Sequence, residues 1–172
     1  TGTYVNVGAT HTITSAEATA TQADVTITKA VIEALAGFAN GQSIIFTAII
    51  TDPGNNSTTG SANASESLVI DTTSLKVASV TSSTANGNYK LGDGVNIRVN
   101  FDGAGTLSGG NLLVTHNASA TKFGISTMSN AAFAEGTYLV AAGDESAQLD
   151  VTTIALAPGA TILDTAGNPN TV

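Results

Sequence analysis

Two copies of one short motif constrain this chain more than anything else in it. The first is Thr51-Asp52-Pro53-Gly54-Asn55-Asn56-Ser57 and the second is Leu163-Asp164-Thr165-Ala166-Gly167-Asn168-Pro169. Each follows a short apolar run of strand character, Phe46-Thr47-Ala48-Ile49-Ile50 before the first and Ala160-Thr161-Ile162-Leu163 before the second. Between them, the apolar Leu68-Val69-Ile70 ends on Asp71. A supersecondary signal recurring at roughly hundred-residue spacing marks tandem copies of one module. Tandem β modules serve as spacers, adhesive stalks or assembly units, and seldom as enzymes.

Composition points the same way. The 172 residues suffice for one large domain or two small ones. Apolar residues make up 42%, enough for a packed core, while only 10% are charged and 5% aromatic. Thr, Ser, Ala, Asn, Gly and Val dominate, a vocabulary of strands and turns. Long amphipathic helices need Glu, Lys, Arg and Leu, which are scarce. The net charge of -8 and the scatter of Lys29, Lys76, Lys90, Arg98 and Lys122 make nucleic acid and anionic membranes poor partners. Excess carboxylate suits solubility or a hard cation. Cysteine is absent, so no disulfide staples the fold. No apolar run approaches a membrane span, so no membrane insertion is expected. The sequence opens at Thr1 with no signal-peptide pattern and reads as a piece from inside a longer protein.

Gly, Asn, Ser and Asp clusters divide the chain into short strands. The first part gives strands at 4–7, 10–14, 24–28, 43–51 and 65–70, with 30–39 a helical turn or an irregular strand. Both faces of 43–51 are apolar, so both are expected to be partly buried. The second part gives strands at 75–81, 89–91, 95–101, 111–115, 122–125, 137–141, 149–156 and 160–164. The cleanest alternation sets Val95, Ile97, Val99 and Phe101 inward and Asn96, Arg98 and Asn100 outward. The domain boundary falls after Asp71, giving domains 1–71 and 72–172 joined by the short, stiff Thr72-Thr73-Ser74.

The stretch Ala142-Gly143-Asp144-Glu145-Ser146, Leu149-Asp150-Val151, Gly159-Ala160-Thr161-Ile162 and Asp164-Thr165-Ala166-Gly167-Asn168 resembles the end of bacterial immunoglobulin-like repeats found in large secreted adhesins and other surface proteins. Tyr89-Lys90-Leu91-Gly92-Asp93 followed by 95–101 resembles their opening, and Ile70-Asp71-Thr72-Thr73 the sequence between consecutive repeats. The resemblance covers most of 68–172, is weaker over 43–71 and is poor over 1–42. It implies an all-β chain of two tandem immunoglobulin-like β-sandwich domains at an extracellular, cell-surface location. Its partners would be neighbouring repeats or copies of itself. The acid after the second-strand aromatic, Asp102 after Phe101, stands one position earlier than such repeats place it.

In that topology Asp71 enters the pole of the second domain that carries Asp102, Asp164 and Asn168. Carboxylates, an amide and backbone carbonyls can supply the six to eight oxygens that Ca²⁺ takes. By the same logic Asp52, Asn55 and Asn56 mark the matching pole of the first domain. Structural Ca²⁺ at the junction is therefore one reading. The other is turn chemistry alone, because Asp caps such a loop through its own side chain and Gly and Asn accept positive φ. A second acidic set, Asp93, Asp144 and Asp150, reads as solvated loop at the opposite pole.

Enzymatic signals are weak. His11 and His116 read as surface or strand-end residues, and Tyr4, Tyr89 and Tyr138 as strand packing. No nucleophile elbow, phosphate loop or glycosidase pair stands out, so no catalytic residue is expected. The expected role is a calcium-stiffened spacer or adhesive repeat; the alternative is a self-assembling surface-layer or filament subunit that exchanges strands between copies. Only Pro169, Asn170, Thr171 and Val172 follow Asp164–Asn168, too few to build a closing strand, so domain 72–172 is expected to lack its last strand, either cut away with the rest of a parent protein or supplied by another chain. The 3–7 segment is one candidate donor.

Overall fold

The structure, a computed structural model, describes residue 7, residues 11–61 and residues 67–170. It is mostly β, with few helices and several antiparallel sheets. The chain divides into two compact units, Thr1–Asp71 and Thr72–Val172.

In unit 1 the first regular element is a helix, α1 (Ser15–Ala20). Thr14 Oγ1 accepts the Glu17 N–H, and the Glu17 carboxylate accepts the Thr14 N–H at 2.8 Å, a reciprocal capping box that satisfies two orphan donors. A second short helix, α2 (Lys29–Glu33), resolves the ambiguous 30–39 stretch in favour of helix. Strands β1 (Ser43–Ile44) and β4 (Leu68–Val69) form one antiparallel pair. Strands β2 (Ile49–Thr51) and β3 (Ser57–Thr59) form another. The continuous strand expected over 43–51 is thus broken, and its aliphatic residues are not buried: Ile49 and Ile50 are about two-thirds exposed. The expected strands at 10–14 and 24–28 join no ladder among the described residues, position 10 lying outside them. β-propensity reflects fit to a half-buried sheet surface, and with no neighbouring strand to supply one it decides nothing. The expected strand at 4–7 lies outside the described residues apart from Val7, as do positions 65 and 66 of the 65–70 strand.

The described residues of unit 2 hold seven strands: β5 (Val77–Thr81), β6 (Gly94–Ser108), β7 (Leu112–His116), β8 (Ser119–Ile125), β9 (Ala131–Leu139), β10 (Val151–Leu156) and β11 (Thr161–Asp164). The expected strand at 89–91 is instead part of the turn before β6. Strand β6 organises one sheet. Arg98 and Asn100 pair with β5 on one side and β9 on the other, and Gly105 pairs with β11 and β9. Hence β5 and β11 share one edge of β6 and β9 takes the other. The second sheet has the order β10-β7-β8. Val95, Ile97, Val99 and Phe101 from β6 meet Leu112 and Val114 from β7 and Ile125 from β8 in one core. The inward alternation read from the sequence is the one observed, and it continues through Leu107.

The two sheets are laced by a bent two-strand ribbon. The second half of β6 and then β7 pair with β11 and then β10, antiparallel throughout. Both strands bend together at Gly109 and Gly159, whose φ values of 73° and 83° suit glycine. A side chain at Gly109 would run into the Gly159 carbonyl. After β11 the chain turns and comes back along it: Leu163 bridges to Pro169, and Asn170 N donates to Ile162 O at 2.8 Å. Asn170 is buried, and its side-chain amide donates to the Leu75 carbonyl.

Candidate functional site

The two motif copies fold into the same turn. In the first, Asp52 N donates to Asn56 O at 3.0 Å and Asn55 N to Asp52 O at 2.9 Å; in the second, Asp164 N donates to Asn168 O at 3.1 Å and Gly167 N to Asp164 O at 3.2 Å. The carboxylates are held alike. Asp52 accepts the Asn56 N–H at 2.9 Å and its side-chain amide at 3.0 Å. Asp164 accepts the Asn168 N–H and the Asn168 side-chain amide, each at 2.8 Å, with the Ala166 N–H at 2.9 Å. Position four of each turn is left-handed, Asn55 at φ 67° and Gly167 at φ 91°. The partner of Asn168 is therefore Asn56. Asn55, singled out from sequence as a metal ligand, occupies the backbone position that glycine fills in the second copy, and its identity there reflects tolerance of positive φ.

These contacts set the charge of the turns. The Asn56 side chain and then its N–H hold Asp52 below its ordinary 3.8, against a small opposing effect of burial. Burial pushes Asp164 upward, but the Asn168 side chain and the N–H groups of Asn168, Ala166 and Gly167 together outweigh it and keep the carboxyl low. Both stay anionic at neutral pH. The donors that achieve this are the turn's own, so a cation at either carboxylate would share it with inward-pointing N–H groups.

The remaining expected ligands have separate duties. Asp102 accepts the Lys76 N–H at 2.8 Å and returns its own N–H to the Lys76 carbonyl at 3.0 Å, closing the end of the β5–β6 ladder. Asp164 lies opposite Gly105, three residues beyond Asp102 on β6. Asp71 is exposed at the last position of unit 1. Of the second acidic set, Asp93 is held by the Lys90 N–H at 2.9 Å and the Lys90 ammonium at 3.0 Å. Among the described residues no three His, Cys, Asp or Glu side chains gather at one point.

A second polar cluster gave no signal in the sequence. His116 ends β7, as a strand-end residue should, yet it is only 3% exposed rather than at the surface. Its ring lies 4.1 Å from that of Tyr138 and 6.3 Å from that of Phe123, and its Nδ1 has no hydrogen-bond partner. Tyr138 donates its hydroxyl to Asp144, which also accepts the Ala141 N–H at 2.8 Å. Burial first, and then the bond to Asp144, push the Tyr138 phenol up to about 12. The Tyr138 hydroxyl first, and then the Ala141 N–H, hold Asp144 low against the opposing effect of burial. These residues border an open pocket of about 280 Å³. Ser119, His116 and Asp144 share it; the Ser119 hydroxyl oxygen accepts the Thr121 N–H at 3.0 Å. Asp144 ties the turn after β9 back to β9, and Asn117 ties the next stretch by accepting the Asp150 N–H at 3.0 Å and donating to Gln148 O at 2.8 Å.

No protein-family model, curated protein or solved structure matches the chain.

Proposed function

We propose that this chain is a structural module of a bacterial surface protein, an immunoglobulin-like spacer or adhesive repeat that carries load and performs no catalysis. The single observation behind the proposal is the twin turn: one hydrogen-bonded device, with matching Asp, left-handed and Asn positions, is built once in each unit. Modules repeated in tandem leave that kind of signature, whereas an enzyme concentrates its special chemistry at one place. The bent ribbon of unit 2 supports the same reading, because its antiparallel ladders join both sheets through a single core. Ca²⁺ is part of the proposal as a stiffening ion, with Asp71, Asp102, Asp164 and Asn168 as its candidate ligands. Mechanical unfolding of single molecules tests both parts. Unit 2 should rupture in one event and refold when relaxed, and the rupture force should rise in millimolar Ca²⁺ relative to chelator. Featureless extension would overturn the load-bearing role. Equal forces with and without Ca²⁺ would remove the ion and leave the turns as self-sufficient caps.

A further inference from the structure

An unguarded sheet edge borders a cleft in unit 2. The cleft, of about 250 Å³, lies between β5 and β10 and is lined by Val77, Val80, Val151 and Ile154 with two threonines. Among the described residues β10 pairs with β7 alone, so its other edge carries free backbone donors and acceptors. The return line through Pro169 and Asn170 runs along β11 toward that edge. Exposed strand edges are ordinarily guarded by charge or proline. The outer strands β8 and β9 carry Lys122 and Glu135, whereas neither β5 nor β10 contains any charged residue or proline. In a chain of net charge -8, two neutral, β-branched edges facing one apolar cleft are suited to receiving a strand.

The same chain holds a strand-like segment that joins no ladder. Residues 23–28 read Ala-Asp-Val-Thr-Ile-Thr, with Ala23, Val25 and Ile27 on one face and Asp24, Thr26 and Thr28 on the other. Among the described residues they join no strand ladder, Thr28 capping α2 through its carbonyl, and Val25 is half exposed. They match the six residues of β10 in number. We propose that residues 23–28 of a second copy of this chain add to β10 as an antiparallel strand, with Val25 and Ile27 seated in the cleft against Val80 and Ile154. Run antiparallel, residue 23 meets Leu156 and residue 28 meets Val151, which keeps Asp24 at the far end from Asp150. Backbone hydrogen bonds to β10 supply the affinity and the alternate apolar side chains supply the register. Each copy offers one donor and one acceptor, so the contact is heterologous: it closes if exchange is reciprocal and propagates if it is not. This goes beyond the spacer reading, since a module can bear load without pairing with itself.

Sedimentation of the full chain from micromolar to millimolar concentration tests the proposal. The mass should climb from one chain to two or more. Val25→Asp at the donor and Val80→Asp at the acceptor should each return it to one chain, and an excess of the peptide corresponding to residues 23–28 should do so with no substitution at all. The peptide arm keeps the test valid if a variant misfolds. A single-chain mass at every concentration overturns the proposal. Association that survives both variants and the peptide also overturns it, by placing the contact elsewhere. Neither result bears on the rupture behaviour that tests the spacer role.

Discussion

Unit 1 and unit 2 draw on the same residues and contain the same turn, yet among the described residues only unit 2 has a developed interior. Its core joins side chains from seven strands, with Val99, Leu112, Val114 and Ile162 fully inaccessible. Among the described residues of unit 1, Ile70 is the one buried hydrophobic, while Ile49, Ile50, Leu68 and Val69 are at least half exposed. Apolar content does not separate them. Strand length and layering do: β6 runs fifteen residues and is paired on both edges, whereas the strands among the described residues of unit 1 are two or three residues long and form isolated pairs. An isolated two-stranded pair is marginal in water, and a sheet face becomes stabilising when another layer covers it.

The sharpest way to break this comparison is to truncate one aliphatic side chain in each unit. Leu112→Ala should cost unit 2 about 2–5 kcal/mol, the transfer term plus the cavity left in a packed interior. Ile50→Ala should change stability by about 0.5 kcal/mol or less, because its side chain is already two-thirds in water. Urea titrations followed by residue-resolved hydrogen exchange separate the two units. A large effect of Ile50→Ala would mean that something covers β2 in solution.

Glycine substitution comes next in size. A Cβ on Gly105 would strike the Leu75 side chain and lie 2.8 Å from the Leu163 carbonyl, because β11 and the residues before β5 both close on β6 there. A Cβ on Gly60 would come no nearer than 3.5 Å to the Ala48 carbonyl, an ordinary contact. Gly105→Ala should therefore cost about 1–3 kcal/mol through overpacking, and Gly60→Ala should be nearly neutral. Equal losses in the two variants, read from the same titrations, would show that unit 1 packs more tightly than its exposure implies.

What the sequence revealed follows the same division. The β6 alternation was legible because period-two burial is a local property of one strand. Most strands of unit 2 were found near their true places, with ends displaced by a few residues. The expected strand stops at 101, and the extension of β6 to 108 runs through Gly103 and Gly105, glycines that permit close approach of neighbouring chain rather than turning it. In unit 1, Thr-Ile-Thr and Val-Thr-Ile-Thr read as strands for sound local reasons, but a ladder needs a second segment that the local pattern cannot supply. The α1 helix does carry a local signal in the sequence: Thr14 followed three residues later by Glu17 is the capping-box signature. At the site, the motif repeat exposed Asp52 and Asp164, but the equivalence of Asn56 with Asn168 depends on backbone φ. The meeting of His116, Tyr138 and Asp144 depends on how β7, β9 and a turn are brought together, which no spacing encodes.

The smallest expected effect compares the twin turns themselves. Each carboxyl is held below its ordinary 3.8, so its ionised form contributes stability that is complete above the unfolded value and is lost as pH falls through the folded one. Asp164→Asn removes the charge while keeping the shape of the side chain, and should flatten the acid end of the unit 2 melting curve below about pH 4. Near pH 7 it should lower the melting temperature slightly, since Asn accepts through one oxygen where Asp164 uses two. Asp52→Asn removes an equivalent set of bonds from an exposed turn, where water replaces them readily, and should leave the melt of the chain close to unchanged at both ends of the pH range. The difference isolates context from motif: Asp164 anchors a turn whose return strand is sealed by buried Asn170, and Asp52 closes a short exposed pair. Melting curves at closely spaced pH values decide the matter. If both variants show the same acid dependence, the turn acts alone and the packing around Asp164 contributes nothing to it.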